Sequence, residues 1–68
     1  MNWVKIANGV YKSECGRFTI TANMRRGEYN LSDRDARDVC CPQYNRMQTV
    51  YSIQHGKNVA ARWNRGSV

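Results

Sequence analysis

The chain has 68 residues and a formal net charge of +6 at pH 7, from 11 Lys and Arg against 5 Asp and Glu. A domain of this length buries only about 60% of its unfolded surface, so we expect one small domain over residues 1–68, without a deep catalytic cleft. The basic balance favours a polyanionic partner: DNA, RNA, an acidic protein surface or an anionic lipid.

The first hairpin is predicted by Asn8-Gly9, which separates a strand at about residues 2–7 from a strand at about 10–14. Asn-Gly is the strongest short hairpin signal, because both residues tolerate the positive φ of a type I′ turn. The two-residue loop sets these pairs: Ala7 with Val10, Ile6 with Tyr11, and Val4 with Ser13.

Two more strands follow, at about residues 17–25 and 28–32. Arg17 to Met24 alternates polar and apolar residues without a break, which is typical of a half-buried strand. Cys15-Gly16 and Arg26-Gly27 are the predicted turns. They set these pairs: Glu14 with Arg17, Tyr11 with Ile20, Arg25 with Glu28, Met24 with Tyr29, and Ala22 with Leu31.

These registers sort the side chains of the sheet onto two faces. A one-residue slip would move a strand's apolar set to the wrong face, so the consistency of the sorting supports the meander. The predicted core face holds Val4, Ile6, Tyr11, Phe18, Ile20, Ala22, Met24, Tyr29 and Leu31. The opposite face holds Trp3, Lys5, Val10, Lys12, Arg17, Thr19, Thr21, Asn23, Arg25, Asn30 and Ser32.

Residues 33–48 have no strong periodic pattern. A short helical turn capped by Ser32 and an exposed loop are both compatible with residues 33–38. Pro42 blocks regular structure, and residues 43–46 are expected to form a connection.

The last element is a predicted helix at about residues 49–64, with Thr49 as N-cap. Val50, Ile53, Gly56, Ala60 and Trp63 recur at spacings of three and four, which makes an apolar stripe. Gly56 on that stripe lets the helix lie close to the sheet, and Gly66 can end the helix. The expected fold is therefore α+β: a four-stranded antiparallel meander with one C-terminal helix packed on one face.

The sequence contains no recognisable catalytic or metal motif. Cys40 and Cys41 have no intervening residue, whereas structural zinc sites usually need two or more. His55 is the only histidine, and a Cys-His nucleophile with Cys40 or Cys41 is a formal alternative without a supporting motif. We expect a non-enzymatic protein with no cofactor, no metal and no small-molecule substrate.

The cysteine count and the hydropathy indicate a compartment. Three cysteines cannot all pair, and adjacent cysteines rarely bond to each other. No signal peptide and no bilayer-spanning apolar run is recognisable. We therefore expect free thiols in a reducing cytoplasm, and no membrane partner.

The candidate binding site is the basic face of the sheet. It combines Lys5, Lys12, Arg17 and Arg25, with Arg26 in the adjoining turn, for contacts with phosphates. Trp3 is available to stack on a base. The alternative is an ordinary solvated face. A second candidate is the back of the helix, with Gln54, His55, Asn58, Ala61 and Arg62, and Lys57 and Arg65 at its margins.

Residues 3–33 carry a further pattern: Trp3, Gly9-Val10-Tyr11-x-Ser13, Gly16-Arg17-Phe18-Thr19-Ile20 and Gly27-x-Tyr29-x-Leu31-x-Asp33. This pattern resembles small accessory proteins encoded by phages and prophages, which implies a fold and a viral setting rather than an activity. Proteins of that kind commonly bind and block a host machine, anti-CRISPR proteins among them. The order of strands and helix also resembles the later part of the double-stranded-RNA-binding domain, in topology only.

The functional expectation is a binding protein that contacts nucleic acid through the basic sheet face. The alternatives are an inhibitor that binds an acidic protein surface of a host nucleoprotein or defence machine, and a structural interaction module.

Overall fold

The computed structural model describes residues 2–66, which form a five-stranded antiparallel sheet with one helix packed on it. The elements are β1 (Trp3–Ala7), β2 (Val10–Ser13), β3 (Phe18–Ala22), β4 (Tyr29–Arg37), β5 (Asn45–Val50) and α1 (Ile53–Asn64). Each strand pairs with the next along the chain, in the order β1-β2-β3-β4-β5. The α+β class and the C-terminal helix are confirmed, but the sheet has five strands where four were predicted.

The hairpin of β2 and β3 has the predicted register, with Tyr11 opposite Ile20. In the hairpin of β3 and β4, Ala22 lies opposite Tyr29 and not opposite Leu31. The connection is longer than a two-residue turn, because Asn23 N–H donates to the Glu28 carbonyl at 2.9 Å. The register therefore differs by two residues, and an even shift leaves the side chains that remain paired in β3 and β4 on their predicted faces.

The hairpin of β1 and β2 corrects the prediction for the first strand. Ala7 lies opposite Val10 as expected, but a β-bulge between Lys5 and Ala7 shifts the pairing by one residue. Trp3 is then opposite Ser13, and Lys5 opposite Tyr11. A one-residue shift exchanges the two faces. The prediction that Val4 and Ile6 belong to the core was wrong: they are 50% and 56% exposed.

The fifth strand lies where a connection at residues 43–46 and the start of the helix at residue 49 were predicted. The segment for which a loop or a helical turn was expected instead extends β4 to Arg37. Residues 29–33 of β4 pair with β5, and after an irregularity between Asp33 and Arg37 the last pair is Arg37 with Asn45. Arg37 Nη1 donates to Asn45 Oδ1 at 2.6 Å across this hairpin. In the tip, Asp38 Oδ1 accepts the backbone N–H groups of Cys40 and Cys41 at 2.8 and 3.0 Å.

Helix α1 begins later than predicted because the preceding residues belong to β5. The N-cap is Ser52 and not Thr49, and Ser52 Oγ accepts the His55 backbone N–H at 2.9 Å. Val50 is fully buried, but from a strand. At the other end Gly66, with φ +71, follows the last turn as expected for a C-terminal glycine.

The core lies between the sheet and α1. Its buried apolar residues are Phe18, Ile20, Leu31, Val50, Val59, Ala60 and Trp63. Met24, which was predicted to join this set, is fully exposed in the connection after β3. Gly56 lies where the helix approaches the sheet closely: a Cβ built there would be 2.8 Å from Ile20 Cδ1 and 3.2 Å from Val50 Cγ2. The missing side chain thus permits the close packing that the sequence predicted.

Candidate nucleic-acid interface

The sheet has two different faces, which we call the helix side and the outer face. The helix side carries α1 and the side chains that share a face with the buried Phe18 and Ile20, and the outer face is uncovered. Directly opposite residues share a face, so the outer face consists of Val4, Val10, Lys12, Thr19, Thr21, Asn30, Ser32, Met47 and Thr49. This set has one basic residue and no aromatic ring.

Trp3 and Lys5 lie on the helix side, because of the bulge in β1. Trp3 is half-buried and packs against the hydrophobic core, so its predicted position as a stacking platform on the basic sheet face was wrong. Lys5 is exposed and lies opposite Tyr11, whose side chain packs against the core. The shift thus brings the charge of Lys5 to the same side of the molecule as α1.

Arg17 forms a two-point ion pair with the carboxylate of Asp33. Its Nε and Nη2 donate to Asp33 Oδ1 and Oδ2 at 2.9 and 3.0 Å, and its guanidinium carbon is 4.8 Å from the centre of the Phe18 ring. The hydrogen bonds with Asp33 raise the pKa of Arg17 above its ordinary value. A guanidinium bound at two points to a fully buried carboxylate stabilises the fold and is less able to bind a phosphate.

The carboxylate of Asp33 is fully buried, and its negative charge is balanced by Arg17. Burial alone would raise its pKa, but the Arg17 hydrogen bonds, the Asp35 backbone N–H and the charges of Arg17 and Arg46 together hold the pKa below its ordinary value. The pair therefore remains ionised at neutral pH.

Lys12 is the predicted site residue that the structure leaves on the outer face. A Cβ built on Gly16 would be within 4 Å of both Lys12 Cε and Arg34 Nη1, so two basic side chains converge at the second turn. Arg34 also pairs with Asp35, at 3.2 Å. Arg25 and Arg26 are exposed but lie beyond the opposite end of β3. The expected basic cluster on the sheet is therefore divided.

The exposed face of α1, the second candidate surface, brings its polar side chains close together along one line. Gln54, Asn58 and Ala61 of α1 and its C-cap residue Arg65 are all exposed and follow each other at spacings of four, three and four, which places them on one line along the helix. The buried residues Gly56, Val59, Ala60 and Trp63 lie opposite this line. We call Gln54, Asn58, Ala61 and Arg65 the outward stripe.

Basic residues flank the outward stripe on both sides. At 100° per residue, Lys57 and Arg62 lie on opposite sides of it. Arg62 is exposed and Lys57 is half-buried. Arg46 of β5 lies near the C-terminal end of α1, where its guanidinium carbon is 4.0 Å from the centre of the Trp63 ring. This contact holds a cation in place.

The start of α1 is fixed by local hydrogen bonds. Besides the Ser52 cap, His55 Nδ1 accepts the Tyr51 backbone N–H at 3.2 Å, and the two rings stack with centroids 6.0 Å apart. His55 thus has a structural partner, and Gln54 Nε2 donates to Asn58 Oδ1 at 3.0 Å within the outward stripe. The side chains of the stripe are presented by a well-capped helix.

One sequence signal for this surface was overlooked: residues 39–68 contain four basic residues and no Asp or Glu, since the last acid of the chain is Asp38. Within residues 2–66 none of Arg46, Lys57, Arg62 and Arg65 forms an ion pair, because the observed ion pairs use Arg17 and Arg34. The segment that forms β5 and α1 is therefore basic without any acidic residue.

The cysteines are free and exposed. Cys15 Sγ is 3.3 Å from Ser13 Oγ, and this hydrogen bond, with the Arg17 backbone N–H, lowers the pKa of the thiol. Residues 2–66 contain no group of three or more His, Cys, Asp or Glu side chains placed to hold a metal. In the same part of the chain, no helix has the length and apolar character needed to cross a membrane.

No family model matches the chain, and no curated protein and no solved structure gives a significant match.

Proposed function

We propose that the protein is a non-enzymatic nucleic-acid-binding protein that uses its helix side. The single observation that supports this proposal best is the acid-free segment that forms β5 and α1, in which Lys57, Arg62 and Arg65 flank exposed amide side chains. Lys and Arg neutralise phosphates, and Asn and Gln donate to phosphates or to base edges. The proposal keeps the partner class expected from composition but moves the contact from the sheet to the helix.

The cations on this side are spread widely enough to follow a phosphate backbone. Lys5 stands on β1 at one edge of the sheet, and Arg46 on β5 at the other edge. The helix residues lie between these edges, on the same side of the molecule. The Cα extents of 28 × 25 × 17 Å allow these groups to reach phosphates several base pairs apart.

A charge-reversal experiment tests the proposal. We expect the double variant Arg62→Glu and Arg65→Glu to lose binding to a fluorescein-labelled 20-mer, measured by fluorescence anisotropy at low salt. Four to five phosphate contacts in the unaltered protein predict a log–log salt slope of roughly −4 for duplex DNA.

The matched control is Arg25→Glu with Arg26→Glu, which changes the net charge equally but on the exposed connection after β3. It should weaken binding only slightly. Equal losses in both double variants would mean that overall charge, and not the helix side, governs binding. No binding of any DNA or RNA by the unaltered protein at high micromolar concentration would refute the proposed function.

A second candidate function is supported by the outer face. Val4 and Met47 are 50% and 54% exposed at its two edges, and Lys12 with Arg34 forms a local basic pair. Such a surface suits an acidic protein partner, as an inhibitor of a host machine would need. If no nucleic acid binds, Lys12→Glu should slow association with that partner, since rim charges act mainly on the association rate.

A further inference from the structure

We infer that α1 enters the major groove of duplex DNA and distinguishes base pairs through the outward stripe. This inference rests on the proposed function and specifies its ligand. The outward stripe consists of Gln54, Asn58, Ala61 and Arg65, and none of these side chains is used in the core.

The chemistry of the stripe matches base edges. Asn and Gln pair with adenine N6 and N7, Arg pairs with guanine O6 and N7, and Ala contacts the thymine methyl group. Within residues 2–66, the hydrogen bond from Gln54 Nε2 to Asn58 Oδ1 is the only one formed by either side chain. It leaves the Gln54 oxygen as acceptor and the Asn58 amide group as donor, which is the combination that an adenine edge requires.

The dimensions of the helix also fit. The stripe spans eleven residue steps, or about 16 Å at 1.5 Å per residue, which corresponds to roughly five base pairs at 3.4 Å each. The major groove, about 12 Å wide, admits one α-helix. α1 is uncovered on this side, because its opposite face packs on a single sheet.

The basic side chains around the outward stripe lie where they can contact the phosphates that border the major groove. Lys57 and Arg62 flank the stripe on opposite sides, and Lys5 and Arg46 lie farther out on the two edge strands of the sheet. Phosphates border the groove on both sides, so cations in this arrangement fix the orientation while the central side chains read sequence. A single-stranded ligand would need exposed aromatic rings for stacking, whereas the stripe has none.

The test is a selection with the full chain on a library of random duplex DNA at about 100 mM salt, followed by anisotropy titrations of the enriched and a scrambled duplex. We expect an enriched motif of about four to five base pairs. Each amide or guanidinium contact should discriminate against a wrong base by roughly 5- to 150-fold.

Gln54→Ala should abolish the preference at one position of the motif and change affinity for the scrambled duplex less than about twofold. Gln43→Ala, the same substitution in the exposed tip between β4 and β5, should leave the preference intact. Both sites are exposed, and circular dichroism checks that the fold is kept.

Two outcomes would overturn this inference and leave the proposed function standing: duplex binding without any enriched sequence, and a strong preference for single-stranded DNA or for RNA. Failure to bind any nucleic acid would instead refute the proposed function and the inference together. An enriched motif that Gln54→Ala and Asn58→Ala leave unchanged would refute the assignment of the stripe.

Discussion

Asp33 and Arg17 form the interaction that sequence patterns could not have located. Asp33 was expected in a polar segment after the last strand, yet its carboxylate is fully buried and bonded at two points to Arg17. The distance in sequence is 16 residues, and the contact exists only because Phe18 and Asp33 lie opposite each other in β3 and β4. The predicted register of β3 and β4 thus assigned their paired residues to the correct faces of the sheet but did not predict the ion pair between Arg17 and Asp33.

The substitution Asp33→Asn should destabilise the protein by roughly 1.5–3 kcal/mol at pH 7, because Arg17 loses a charged hydrogen-bond partner. Asp35→Asn is the matched control: Asp35 is 52% exposed and pairs with the exposed Arg34 at the surface, so its loss should cost under about 1 kcal/mol. Urea unfolding followed by circular dichroism measures both, and equal costs would refute the special role of Asp33.

The ion pair of Arg17 and Asp33 makes the stability of the protein depend on pH. The pKa of Asp33 is lower in the folded chain than its ordinary value, so its contribution to stability is complete above an unfolded pKa of about 3.9. It is lost as pH falls through the folded pKa. The stability difference between the unaltered protein and Asp33→Asn should therefore shrink between pH 5 and pH 2. A difference that stays constant over this range would contradict the account.

At the scale of elements, the turn residues predicted the hairpin of β2 and β3, whereas the side-chain faces of the edge strand β1 were predicted wrongly and the edge strand β5 was missed. The residues of β2 and β3 alternate in polarity, and Gly16 has the positive φ that a tight turn needs, so both strands and their register could be predicted. The bulge in β1 has no composition signal, and it reversed the positions of Trp3 and Lys5. Two of the six residues of the candidate site were misplaced by this one irregularity.

β5 was missed for a related reason. Asn45–Val50 lacks an apolar alternation, since Arg46 and Gln48 share a face with the buried Val50. The strand exists because β4 offers a pairing partner, which is a tertiary cause. Val50 precedes Ile53 by three residues, a helical spacing that extended the predicted helix too far. The buried apolar face of α1 from Gly56 to Trp63 was predicted correctly, because the helical periodicity of apolar residues is sustained there.

Gly56 allows a test of how α1 packs on the sheet. Gly56→Ala should destabilise the protein by roughly 1 kcal/mol or more, because overpacking against Ile20 and Val50 outweighs a helix-propensity gain of up to about 1 kcal/mol. Ala61→Gly on the exposed face provides the comparison, with a propensity cost of about 1 kcal/mol and no packing change. A stabilised Gly56→Ala variant in urea unfolding would show that the helix sits farther from the sheet.

At the scale of the whole molecule, charge is distributed unevenly around the sheet. The carboxylates of the chain all lie at or before Asp38, and Asp33 and Asp35 are engaged by Arg17 and Arg34. Arg46, Lys57, Arg62 and Arg65 form no ion pair within residues 2–66, although the charge of Arg46 also helps to lower the pKa of Asp33. Composition predicted a polyanionic partner, and our proposal places its contact on the helix side because the segment of β5 and α1 is basic without any acid.

The central claim is that nucleic acid contacts the helix side, and amide chemical-shift mapping tests it most directly. Uniformly ¹⁵N-labelled protein is titrated with a short duplex DNA at low salt, and shift changes are assigned by residue. We predict the largest changes at Gln54, Asn58, Arg62 and Arg65, with Thr19, Thr21 and Ser32 of the outer face nearly unchanged. Changes concentrated on Lys12, Thr19 and Thr21, or no changes at all, would contradict the account.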